Sequence, residues 1–157
     1  ISDLENFISL RLATVFGVSA RMRVDLLVDD FTLKAVRDKY VVLFEEHFKR
    51  NFIHVKDVSS AFIFCMNNFE KMKSNIYNVG LEDANLSKLE LCKIIESKID
   101  LKIISSKIGS DPDKRDYIVS NKKIYSTGWS PKIKLETGIE ELIKFYSFIK
   151  FSNFSNI

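Results

Sequence analysis

Residues 50–62 read RNFIHVKDVSSAF, and they set an arginine and an amide at the mouth of a short strand, FIHV, that runs straight into a helix. Arginine carries a planar guanidinium that stays charged and can meet two oxygens at once, and asparagine adds an amide donor. An exposed ion pair contributes only ~0–1 kcal/mol and needs no such setting. Arg50 and Asn51 are therefore expected to grip an anionic group at the end of the strand. Arg21 and Arg23, in SARMRVDLL, stand where an amphipathic pattern begins. A helix N-terminus exposes unpaired amides and favours anions, so these two cations could add to the same grip. His54 has an ordinary pKa close to neutrality, the property of a general base. Yet FIHV feeds a packed helix and no second His, Cys or acid cluster accompanies it, so His54 reads as a hydrogen-bonded structural histidine. Asp57 reads as the cap of that helix. Tyr146 and Lys150 have a spacing that would let a lysine lower a tyrosine's pKa, but Tyr146 continues an apolar stripe and reads as core. No metal-ligand spacing is visible.

These residues need elements to position them. ISLRLATVF, 8–16, alternates apolar and polar residues and turns at Gly17, as a strand would. From Arg23 the spacing changes to threes and fours through Val24, Leu27, Val28, Phe31 and Ala35, which predicts an amphipathic helix. YVVLF (40–44), IYNVG (76–80) and LKIIS (101–105) are strand candidates. Val58, Ala61, Phe62, Cys65, Met66 and Phe69 form one helical stripe. Ser87 with Glu90 predicts a capping box flanked by Leu86 and Leu91, and Thr137 with Glu140 predicts another before a final helix bearing Ile139, Leu142 and Tyr146. SKIGSDPDKRD is a polar loop. Strands and helices alternate, which argues for an α/β protein.

The 157 residues are 46% hydrophobic and 29% charged, with net charge +3, enough for one ordinary core and a mildly basic surface. That charge helps hold one anionic ligand and does not describe a nucleic-acid-binding surface. Cys65 and Cys92 fall on apolar stripes and read as buried, reduced thiols of a cytoplasmic protein. No run approaches the ~18 apolar residues of a membrane span. The chain opens on Ile1 within what reads as the tail of a helix, so a piece of something longer is expected.

ISLRLATVFGVSARMRVDLLV, then RNFIHVKDVSSAF followed by NIYNVG, then DPDKRDYIVSNKKIYSTGWSPKIKLETGIEEL, in this order, resemble the NAD-dependent epimerase/dehydratase family. These extended short-chain dehydrogenases act on nucleotide-diphosphate sugars. The resemblance implies the C-terminal part of a Rossmann-like fold, with residual parallel strands and a small α/β substrate-binding subdomain. It treats residues 1–157 as one fragment without the N-terminal NAD-binding half. Glycines at 17, 80, 109, 128 and 138 cannot be assembled into that half's Gly-rich loop. The family's catalytic Tyr-x-x-x-Lys falls before the strand that resembles ISLRLATVF, so Tyr146 and Lys150 are in the wrong order for it.

The resemblance further implies that Arg50 clamps a diphosphate, that Arg115 closes over the nucleotide, and that Thr14 and Gly17 bring backbone close to the nicotinamide end of NAD or to the sugar. Asp29 and Asp30 depart from it, because relatives often carry Asn there and a carboxylate repels phosphate. NAD or NADP is implied for a full-length parent, with no tight binding to this fragment. The expected partners are a nucleotide-diphosphate sugar, and either further copies of the chain or the missing half, with no membrane or nucleic acid. A non-catalytic binding or assembly module derived from the family is the alternative.

Overall fold

The computed structural model describes residues 5–110 and 113–149. In chain order its elements are β1 (Ile8–Leu12), β2 (Thr14–Phe16), α1 (Leu27–Arg37), β3 (Tyr40–Leu43), β4 (Lys49–His54), α2 (Val55–Asn67), α3 (Phe69–Met72) and β5 (Asn75–Val79). There follow β6 (Asn85–Ser87), α4 (Lys88–Glu96), β7 (Lys102–Ser105), α5 (Lys122–Tyr125) and α6 (Leu135–Phe148).

The alternating run 8–16 is divided between two partners. β1 pairs in parallel with β5, Leu12 standing opposite Val79. The Ala13 amide still donates to the Val79 carbonyl at 2.9 Å, after which the chain leaves β5 and pairs with β4, Thr14 opposite Phe52. The break coincides with Gly80, where an added Cβ would fall 1.8 Å from the Asn51 Oδ1 atom. The Asn51 side chain thus fills the space beside the end of β5. β4 is the centre of a three-stranded sheet, parallel to β2 and antiparallel to β6, and β3 pairs in parallel with β7.

Helices α4 and α6 pack on α1, and α2 packs on β2 and β4. Val28 and Ala35 of α1, Leu91 and Ile95 of α4, and Ile139 and Leu142 of α6 are all buried in this core. Cys65 and Cys92 are buried and unbridged, and burial pushes the Cys92 thiol up to about 12. Ser87 and Glu90 form the expected capping box at α4.

Three expectations are corrected. The first helix begins at Leu27 rather than Arg23, because residues 23–26 make a turn closed by the Leu26 amide on the Arg23 carbonyl at 3.1 Å. Asp57 does not cap α2. His54 does, its Nδ1 accepting from the Lys56 amide at 3.2 Å, while the Asp57 carboxylate reaches across to the amides of Lys132 and Ile133, both at 2.9 Å. Thr137 lies inside α6, and Glu140 makes no box because its carboxylate holds Lys98 Nζ at 2.7 Å. Lys150 lies outside the described residues. Among the described residues no helix is long and apolar enough to cross a membrane.

Candidate functional site

A cavity of about 860 Å³ opens between the end of β2, the start of α1, the last residues of β3, the start of β4 and the loop 113–117. It brings together Arg50, Arg115, Arg21, Arg23, Thr14 and Gly17, six of the seven residues singled out in the sequence. The seventh, Asn51, is not on its wall. Successive residues of a strand point to opposite faces, so Arg50 aimed into the cavity sends Asn51 the other way. There Asn51 is fully buried, donating to the Leu81 carbonyl at 2.6 Å and accepting from Asn121 at 3.4 Å.

Arg50 is 2% exposed. Its Nη1 donates to the Lys49 carbonyl at 2.9 Å, its Nη2 lies 3.1 Å from Asp113 Oδ1, and its guanidinium stands 5.4 Å from the centre of the Tyr117 ring. The loop that carries these partners has no regular structure, yet it is pinned along β4. The Tyr117 amide donates to the Lys49 carbonyl and the Lys49 amide to Asp116, at 3.2 and 2.7 Å.

Arg115 is mostly exposed and grips the same Asp113 carboxylate through both oxygens, Nε at 2.7 Å and Nη2 at 2.6 Å. The fork from Arg115, with the Arg50 charge behind it, holds the Asp113 carboxyl well below the usual carboxylate range. Asp113 therefore stays ionised between the two arginines. The sequence reading did not single out Asp113 or Tyr117. An Asp-x-Arg pair in a polar loop looks like ordinary surface, and only the pinning of that loop to β4 brings it to Arg50.

Arg21 and Arg23 sit on the turn before α1 rather than in its first turn. Arg21 is exposed, and Arg23 forks onto Asp25 at 2.9 and 2.7 Å. The first turn of α1 carries Asp29 and Asp30, a placement the helix dipole favours and an incoming anion does not. Asp30 holds Lys34 at 2.7 Å. Asp29 is 2% exposed, its Oδ1 is 3.4 Å from the Gly17 amide, and burial pushes its carboxyl up to about 7. Near neutrality it is therefore partly protonated.

Gly17 adopts φ 113°, in the left-handed region, and an added Cβ would fall 2.4 Å from His54 Nε2. His54 is fully buried beneath it, edge-on to Phe16, with Nε2 3.1 Å from Glu141. Burial lowers its pKa, and the neighbouring Glu141 opposes this only in part. With Nδ1 accepting from an amide, the neutral ring carries its proton on Nε2, the structural role expected of it. Tyr146 is buried in the core. Among the described residues no group of His, Cys, Asp or Glu is placed to hold a metal ion.

The fold is that of the Rossmann-like extended short-chain dehydrogenases. Thermotoga maritima UDP-glucose 4-epimerase, solved with UDP-glucose, is 24% identical with TM-score 0.73 over 88% of this chain and 45% of that one. Bacillus cereus UDP-glucuronic acid 4-epimerase, solved with UDP-glucuronic acid and NAD, is 20% identical with TM-score 0.74 over 90% of this chain and 45% of that one. Residues 4–80 match the model of the NAD dependent epimerase/dehydratase family, and the chain belongs to that family. Among curated relatives, CDP-paratose 2-epimerase of Salmonella typhi is 30% identical over 104 residues, 64% of this chain and 30% of that protein. Probable GDP-L-fucose synthase 1 of Oryza sativa is 31% identical over 101 residues, 62% of this chain and 29% of that protein.

NAD, implied by the family, is tested by the two glycines nearest the strand ends. The space beside each is taken by the protein itself, the His54 ring at Gly17 and the Asn51 amide at Gly80. Neither leaves backbone open on that side, so these two glycines do not form the cradle of a dinucleotide pyrophosphate.

Proposed function

We propose that this chain supplies the nucleotide-sugar-binding part of an NAD-dependent epimerase or dehydratase, and that Arg50 grips the diphosphate of the sugar nucleotide. The observation that carries this reading is a guanidinium 2% exposed on the wall of a cavity of about 860 Å³ that four arginines share. Taking a cation out of water costs several kcal/mol unless anions compensate. Asp113 compensates it here, and a diphosphate offers more oxygens to the same fork. Arg115, freed from Asp113, closes on the ligand from the loop, and Arg21 and Arg23 add charge at the rim. Thr14 and Gly17 form the wall on the sugar side. Binding and orientation are this chain's contribution, while hydride transfer to and from NAD belongs to a full-length parent.

Calorimetric titration with UDP-, GDP-, CDP- and dTDP-sugars tests the reading. One of them binds, and Arg50→Ala weakens it by roughly 10- to 100-fold, the loss of a charge-assisted contact. Turnover of any of these sugars by the purified chain would refute its catalytic silence.

The placement of Asp29 and Asp30 on the cavity wall favours a second reading, a binding or assembly module derived from the family that no longer takes the sugar nucleotide. That reading predicts no heat of binding from any member of the panel.

A further inference from the structure

Asp29 is a buried carboxyl on the wall of a cavity that carries more cations than carboxylates. It stands in the first turn of α1, and the Gly17 amide it meets belongs to a residue held against the His54 ring. Carboxyl and amide are therefore both packed in place. The other carboxylates of the wall are each matched by a cation: Asp25 by Arg23, Asp30 by Lys34 and Asp113 by Arg115. Among the described residues no cation is paired with Asp29, and the charge that acts on it is that of Asp25, of its own sign. The elements packed on α1 add few titratable groups. α6 brings up Tyr146, a phenol that burial pushes up and that the Asp29 and Asp30 carboxylates push further. α4 contributes Lys88 on the cavity wall and Cys92, whose thiol responds after burial to Glu96, Asp30 and Lys34. β2 ends against His54 of β4, whose pKa burial lowers, and the Tyr40 of β3 acts on Arg37 at the far end of α1.

We infer that an anionic ligand enters this cavity together with a proton taken up at Asp29, so that the site releases its ligand as pH rises. This rests on the sugar-nucleotide reading of the cavity and adds its regulation. An ionised carboxylate in a poorly hydrated wall repels a second anion, whereas the protonated form repels nothing and offers an O–H donor. Burial already brings the group to about 7, so the field of the ligand has only a short way to push it. The proton comes from solvent and adds to a carboxylate oxygen, and no other bond is made or broken. Linkage then works in both directions: a ligand that favours the protonated carboxyl is itself favoured by protons.

The probes are UDP-, GDP-, CDP- and dTDP-glucose, whose diphosphate diesters exchange no proton of their own near neutrality. Each is titrated calorimetrically into the unaltered chain and into Asp29→Asn at about pH 5.5, 7 and 8.5, in buffers of unlike ionisation enthalpy. The unaltered chain should take up roughly half a proton per ligand at pH 7 and bind roughly tenfold or more weakly at the highest pH than at the lowest. Asp29→Asn should take up none and keep its low-pH affinity throughout. The carbon NMR signal of the Asp29 carboxyl should titrate near neutrality in the free chain and at higher pH in the saturated one, which decides the matter if Asp29→Asn fails to fold. Binding without proton uptake and with an unmoved Asp29 midpoint overturns the inference and leaves the sugar-nucleotide reading standing. Proton uptake that survives in Asp29→Asn overturns it as well, because another group then carries the proton. No binding of any probe at any pH overturns both.

Discussion

Asp29 shows how far one residue's chemistry departs from its name. Its folded carboxyl has a pKa of about 7 against an ordinary 3.8, with burial as the chief cause, the Gly17 and Asp29 amides opposing it and Asp25 adding to it. A carboxyl with a raised folded pKa contributes stability that is complete below about pH 4 and lost as pH rises towards 7. The difference between 3.8 and about 7 corresponds to about 4 kcal/mol. Asp29→Asn keeps an acceptor for the Gly17 amide and cannot ionise. Chemical denaturation should find the variant and the unaltered chain similar at pH 4 and the variant more stable by a few kcal/mol at pH 8. Equal pH profiles would mean that Asp29 is solvated. At this scale the sequence was only partly informative. Arg50 stood out because a fixed cation opened a strand, whereas Asp113 carries no local pattern that separates it from surface charge. Asn51 was assigned with Arg50 because the two are neighbours in sequence, and the strand's alternation sets them on opposite faces.

At the scale of elements, the boundaries depend on partners that lie far away in sequence. Asp57 sits where a cap is expected, yet its carboxylate serves two amides 75 and 76 residues further on, fastening the approach to α6 onto the start of α2. Asp57→Ala leaves both part-buried amides without their acceptor, and each charge-assisted bond contributes about 1.5–3 kcal/mol. Equilibrium unfolding should show a loss of roughly 2–4 kcal/mol, much more than the removal of a helix cap, which costs about 1 kcal/mol. A loss near 1 kcal/mol would return Asp57 to the role of a simple cap. The capping box at Ser87 and Glu90 was readable because all its parts lie within four residues. The split of 8–16 into β1 and β2 was not, because it is imposed by β5 ending against the Asn51 side chain.

At the scale of the whole molecule, the α/β class was readable from the alternation of strands and helices, and the presence of residual parallel strands from the family resemblance. The surface is less so. Among the described residues β1 is paired along one edge only, and Phe62, Ile63 and Met66 of α2 are half or more exposed. An open strand edge and exposed apolar side chains each favour association. We expect sedimentation to show a mass that rises with concentration, and the double substitution Phe62→Lys with Met66→Lys to reduce it. A single monomeric mass over a wide concentration range would contradict this.

In the function proposed for the cavity, an external diphosphate takes the place Asp113 now holds between Arg50 and Arg115. The most direct measurement is calorimetric titration of the tightest-binding nucleotide sugar into the unaltered chain and into Asp113→Asn, with circular dichroism confirming that both are folded. Removing the resident negative charge should tighten binding by about tenfold, the order expected for one charged contact. Unchanged or weaker binding by Asp113→Asn would contradict the account, because Asp113 would then be part of the wall rather than a competitor for the same cations.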